Sequence, residues 1–95
     1  MKESVLRLKI KHALEDEFRG FWITIHGGPY QVVGLPDIIG CVGGKFYGLE
    51  VKVPGKERTL TARQAFILQQ IKLAGGRAKM VTSVDEALSF VRRSA

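Results

Sequence analysis

Cysteine is nearly absent: the 95-residue chain has one, Cys41. A single thiol excludes an intrachain disulfide and any zinc site built from several cysteines. Set within the apolar run IIGCV, that thiol is expected to be buried and inert rather than a nucleophile. Histidine is almost as scarce, at two residues, and the two are not clustered as a nitrogen-rich metal site would require. No stretch approaches the roughly 18 consecutive apolar residues needed to cross a bilayer. The opening MKESVLRLKIKH lacks the uninterrupted apolar segment of a signal peptide. The cytoplasm is therefore the expected compartment. Repeats, low-complexity tracts and domain linkers are also lacking, so residues 1–95 are expected to form one domain.

What is present is an ordinary globular composition, 45% apolar and 25% charged, which argues against disorder. Fifteen Lys and Arg face nine Asp and Glu, giving a net charge of +6 and a pI near 9.8. In a small domain that balance points to a polyanionic partner, nucleic acid first.

The periodicities give an element order. From Lys2 to about Phe18, the residues Glu3, Leu6, Ile10, Ala13 and Leu14 recur on one helical face, with Lys2, Lys9 and Asp16 opposite. Val5, Leu8 and His12 form a second apolar patch on the same helix. Phe21 to His26 is β-branched and aromatic on both faces and reads as a strand covered on both sides. Gly27 to Leu35 reads as a loop. Two strands follow, joined at Gly43-Gly44, a two-residue turn that tolerates positive φ. Alternation in the second arm sets Phe46, Gly48, Glu50 and Lys52 on one face and Tyr47, Leu49, Val51 and Val53 on the other. Thr61 to Ala74 is a helix that opens with a capping box at Thr61 and Gln64, and Gly75-Gly76 ends it. Arg77 to Thr82 is a strand, and Ser83 caps a last helix with Val84, Ala87, Leu88 and Val91 inward. The order α-β-β-β-α-β-α implies an α/β fold: a mixed four-stranded sheet flanked by helices.

Charge is unevenly placed on that frame. Counted back from the turn, Asp37 falls at the far end of the first arm, and Glu50 and Lys52 fall near the far end of the second. Three charges thus meet at one end of an otherwise apolar hairpin, where charge is rarely taken in without a partner or a metal. A bland alternative is a same-face ion pair on an exposed edge strand, worth about 0.2–1 kcal/mol. Two further polar residues open buried stripes. Glu3 reads either as a first-turn acid favoured by the helix dipole or as part of the site. Gln64 reads either as the capping-box residue or as a site residue. His26, at a strand end, reads as a surface or hydrogen-bonding residue or else as a ligand or a base.

Two neighbouring carboxylates with no clustered His or Cys suit Mg²⁺ or Mn²⁺. A lysine beside such a cation can hold a water nucleophile or stabilise charge growing on a phosphoryl group. With a basic surface, the reaction this set suits is metal-assisted hydrolysis of a nucleic-acid phosphodiester.

Asp37 after Pro36, followed by Glu50-Val51-Lys52, resembles the PD-(D/E)xK nuclease signature. The runs GLPD, EVK, TARQ and GGRAKMV together resemble the VRR-NUC (virus-type replication-repair nuclease) domain over nearly the whole chain. That resemblance implies a restriction-endonuclease-like core. It implies Asp37 and Glu50 as ligands of Mg²⁺ or Mn²⁺, with the Val51 carbonyl contributing. Lys52 would orient the attacking water, Gln64 would support Lys52 or the phosphate, and Glu3 would assist with a second metal. It further implies DNA, branched and in particular four-way (Holliday) junctions, as the substrate of a homodimer; the basic excess and the spare Val5/Leu8 patch agree with this. Lys56, Arg58 and Arg63 are the expected DNA contacts. The rival class is a nuclease-like fold that only binds nucleic acid or assembles with a partner.

Overall fold

The structure, a computed structural model, describes residues 1–27 and 32–94. It comprises α1 (Glu3–Glu17), β1 (Phe21–Thr24), β2 (Ile38–Val42), β3 (Lys45–Val51), a 3-10 turn (Glu57–Thr59), α2 (Ala62–Leu73), β4 (Arg77–Val81) and α3 (Val84–Ser94). The order is the expected one. Part of the Gly27–Leu35 loop, residues 28–31, lies outside the described residues.

The sheet order is β1-β2-β3-β4, with β1, β2 and β3 an antiparallel meander and β4 parallel to β3. Gly43 and Gly44, at φ 58° and 81°, make the tight β2–β3 turn. Positive φ at both turn positions matches the right-handed twist of the flanking strands. The parallel pair needs a crossover, and α2 supplies it.

α1 and α3 pack on one face of the sheet. There Leu6, Ile10 and Leu14 of α1 meet Trp22, Ile38, Tyr47, Leu49, Val51 and Val81 from the strands, with Ala87 and Val91 of α3. α2 packs on the opposite face, over β3 and β4. Its approach is close: a Cβ on Gly48 would lie 2.8 Å from Ile71 Cδ1 and 3.1 Å from Pro36 Cγ. No helix among the described residues is long and apolar enough to cross a membrane.

Two expectations fail on the α2 face, for one reason. α2 covers β3 and β4 but leaves β1 and the adjoining part of β2 open. Phe21–Thr24 is therefore buried on the Trp22 side only, and Phe21 is 65% exposed. Cys41, expected to be buried, is exposed on the same face, paired in register with Phe21 on one side and Phe46 on the other.

Candidate active site

The hairpin register builds the site. Ile38 pairs with Leu49, so one step further sets Asp37 opposite Glu50 on the α2 face of the sheet. Asp37 is fixed from three directions. Its backbone carbonyl accepts from Ile25 N at 2.8 Å, extending the β1–β2 ladder beyond Thr24. Its carboxylate Oδ2 accepts from Val51 N at 2.8 Å, where the β2–β3 ladder runs out. Its Oδ1 lies 3.4 Å from Arg7 NH1 of α1.

Glu50 is 2% exposed and Lys52 6%, and Lys52 Nζ lies 3.6 Å from Glu50 Oε2. β3 is an interior strand, so this pair is not a surface ion pair on an edge. Lys52 is held in line by its backbone N–H, which donates to Val81 O of β4 at 3.0 Å. Burial pushes the Glu50 carboxyl up to about 8, the Asp37 carboxylate adds to the rise, and Lys52 pulls it back only in part. The buried Glu50 carboxyl, facing the half-buried Asp37, thus remains under-compensated even with Lys52 beside it.

The facing carboxylates of Asp37 and Glu50 have the donor chemistry that suits a divalent cation. Among the described residues no group of three or more His, Cys, Asp or Glu side chains gathers where a metal ion could sit. The Asp37 and Glu50 carboxylates, with the expected Val51 carbonyl, would offer such an ion oxygen donors alone. Mg²⁺ is commonly bound through one or two carboxylates, with water and substrate phosphate completing its shell, and Mn²⁺ also suits oxygen donors.

The other expected site residues fare differently. Gln64 forms the capping box: its Oε1 accepts from Thr61 N at 2.9 Å and its own N–H donates to Thr61 Oγ1 at 3.0 Å. It makes no hydrogen bond to Lys52 among the described residues. Glu3 sits half-exposed in the first turn of α1, and no hydrogen bond joins it to Asp37, Glu50 or Lys52 among the described residues. The α1 side chain that reaches the site is Arg7, one turn further on, which the sequence reading passed over. The signal was there in the spacing, since Arg7 lies four residues after Glu3 and three before Ile10 on the inward stripe. His26 is exposed, with its ring 3.4 Å from Thr24 Oγ1 rather than at Asp37.

Of the expected DNA contacts, Lys56 and Arg58 are exposed in the turn that follows Lys52. Arg63 is exposed on the first turn of α2, its guanidinium 5.3 Å from the Phe66 ring centroid.

Compared with models of known protein families the chain matches none, and none of the curated proteins matches it.

Proposed function

We propose that the chain is a metal-dependent DNA endonuclease of the VRR-NUC type within the PD-(D/E)xK nucleases. The observation that carries this reading is Glu50: a buried acid set opposite Asp37, with a buried lysine 3.6 Å away, in a chain of net charge +6. A buried acid with a second acid across from it is costly to keep in a merely structural role.

Asp37 and Glu50 would hold Mg²⁺ or Mn²⁺ together with the Val51 carbonyl. When bound, the ion supplies Lewis acidity toward a phosphoryl oxygen and lowers the pKa of bound water. The chain's own residues do the rest. Val51 N–H and Arg7 orient the Asp37 carboxylate. Lys52, tied to β4 through its backbone, presents its ammonium to the attacking water and to the charge that grows on the phosphoryl oxygens. In the reaction a water oxygen bonds to phosphorus as the water gives a proton to solvent, the bond from phosphorus to one sugar oxygen breaks, and that oxygen leaves with a proton from solvent. Lys56, Arg58 and Arg63 around the site attract the phosphate backbone, which gives salt-dependent, sequence-tolerant binding.

The substrate in this reading is branched DNA, four-way junctions included, cut by a homodimer whose two sites nick two strands. The row Phe21, Cys41 and Phe46 supports the dimer better than the Val5/Leu8 patch does. It is three cross-strand neighbours running from the bare β1–β2 strip to Phe46 at the rim of α2, at the opposite end of the strands from Asp37 and Glu50, so pairing there leaves the site open.

The test is cleavage of four-way, flapped and duplex DNA with Mg²⁺ or Mn²⁺. Asp37→Asn and Lys52→Ala should each lower the rate by about 100-fold or more. A wild-type chain that nicks none of these substrates, or variants that cut as fast as wild type, would sink the proposal.

A further inference from the structure

Phe66 is out of place by the usual logic of α2. It lies on the solvent side of that helix and is 49% exposed. It is not a loose side chain, however. Arg63, one turn earlier on the same side, sets its guanidinium 5.3 Å from the ring centroid. The guanidinium is tethered at its other end, because Arg63 Nε donates to Val33 O at 3.2 Å. The chain at Val33-Gly34 is pressed against this turn of helix: a Cβ on Gly34 would lie 2.7 Å from Arg63 Cγ and 3.1 Å from Arg63 O. Gly34 is three residues before Asp37, so the pair is anchored to the segment that delivers the first acid of the site. Val33, 73% exposed, extends the apolar edge.

A phosphate contact alone would explain Arg63 but not the aromatic. Holding the guanidinium by Nε and over a ring spends donors and freedom that a phosphate clamp would keep. What the arrangement offers outward is flat, partly apolar and cationic, which are the properties of a surface on which a nucleobase stacks. Charge complementarity names the occupant, because the platform carries the Arg63 cation over its ring in a chain of net charge +6. Within a duplex, base faces are covered by their neighbours. An unpaired base has a face to give.

We propose that Phe66 and Arg63 form a stacking platform for an unpaired nucleotide next to the site, so that the branched DNA cut most readily is one carrying an unpaired nucleotide beside the phosphodiester to be cut, ahead of a fully paired four-way junction. The cleavage half of this statement rests on the nuclease reading above; the stacking half does not.

The experiment uses the full chain in EDTA, where no cation is bound and cutting does not intervene. Two oligonucleotide probes carry 2-aminopurine, one at an unpaired flap position and one within continuous duplex. Binding should quench the unpaired probe and leave the paired one nearly unchanged. Phe66→Ala and Arg63→Ala should weaken binding of flapped DNA by about fivefold or more, with Phe66→Ala changing duplex binding little. Phe66→Leu keeps apolar bulk on the helix but has no ring, and should lose as much as Phe66→Ala; Phe66→Trp should retain or exceed wild-type quenching. Wild-type binding by Phe66→Leu, or equal losses on flap and duplex, would overturn the platform. So would a sedimentation change in Phe66→Ala without DNA, which would mark Phe66 as a contact between copies of the chain. Quenching by a chain that never cuts under Mg²⁺ or Mn²⁺ would keep the platform and dismiss the nuclease.

Discussion

Glu50 is the residue whose protonation ties stability to the proposed chemistry. Its carboxyl stands at about 8 against an ordinary value of 4.5, through burial first and the facing Asp37 second, with Lys52 opposing. The folded chain therefore binds this proton more tightly than the unfolded chain does. The resulting stabilisation is complete below pH 4.5 and is lost as pH rises through about 8. The groups around it are Asp37, Lys52 and, through Asp37, Arg7. Metal-free wild type should thus melt at progressively lower temperature from about pH 4.5 to about pH 8, and Glu50→Gln, which cannot lose the proton, should show a flatter profile. Because a cation must displace the proton, the rise in melting temperature caused by Mn²⁺ should grow over the same range. Parallel profiles for wild type and variant would show that Glu50 is ionised throughout.

At the scale of elements, α2 does two things that compete for one side chain. Gln64 opens its inward stripe, and the structure spends the Gln64 carbonyl oxygen and backbone N–H on the cap with Thr61. The cap fixes where α2 begins. Gln64→Ala should lower stability to urea by about 1 kcal/mol, whereas Gln64→Glu, which still fills the capping box, should stay near wild type. Measuring cleavage on the same pair separates the roles. If Gln64→Glu melts like wild type yet cuts far more slowly, the amide nitrogen acts on Lys52 or the phosphate as well. α3 shows a looser version of the device: Glu86 N donates to Ser83 Oγ, but the Glu86 carboxylate reaches back to Thr82 rather than to Ser83.

At the scale of the molecule, the uneven cover of the sheet is the dominant feature. Among the described residues three α-helices serve four strands, and α2 is held over β3 and β4 because it must connect them. The bare strip carries Phe21 and Cys41, and Phe46 borders it at the rim of α2, with Phe21 65% and Phe46 43% exposed. If this strip joins two copies, sedimentation velocity at tens of micromolar should give a dimer, and Phe21→Asp should give a monomer with an unchanged circular dichroism spectrum. A wild-type monomer, alone and with four-way DNA, would count against the dimer.

The sequence by itself determined the element order, the β2–β3 turn and the meeting of Asp37, Glu50 and Lys52. Those follow from local rules: a period of two along a strand, a period near 3.6 along a helix, and a two-glycine turn that sets the register between its arms. Once the register is set, Asp37 has to face Glu50. Only the tertiary structure decided that Arg7 rather than Glu3 reaches Asp37, because this depends on where α1 lies across the sheet end. It alone decided that Cys41 and Phe21 are exposed, because an apolar strand pattern records that a face is apolar and not whether a helix arrives to cover it. Capping at Gln64 was legible as one of two readings, and the folded geometry showed the cap formed. The difference is one of range: contacts along one helix or across one turn are written in spacing, whereas contacts between layers depend on packing angles that no single segment encodes.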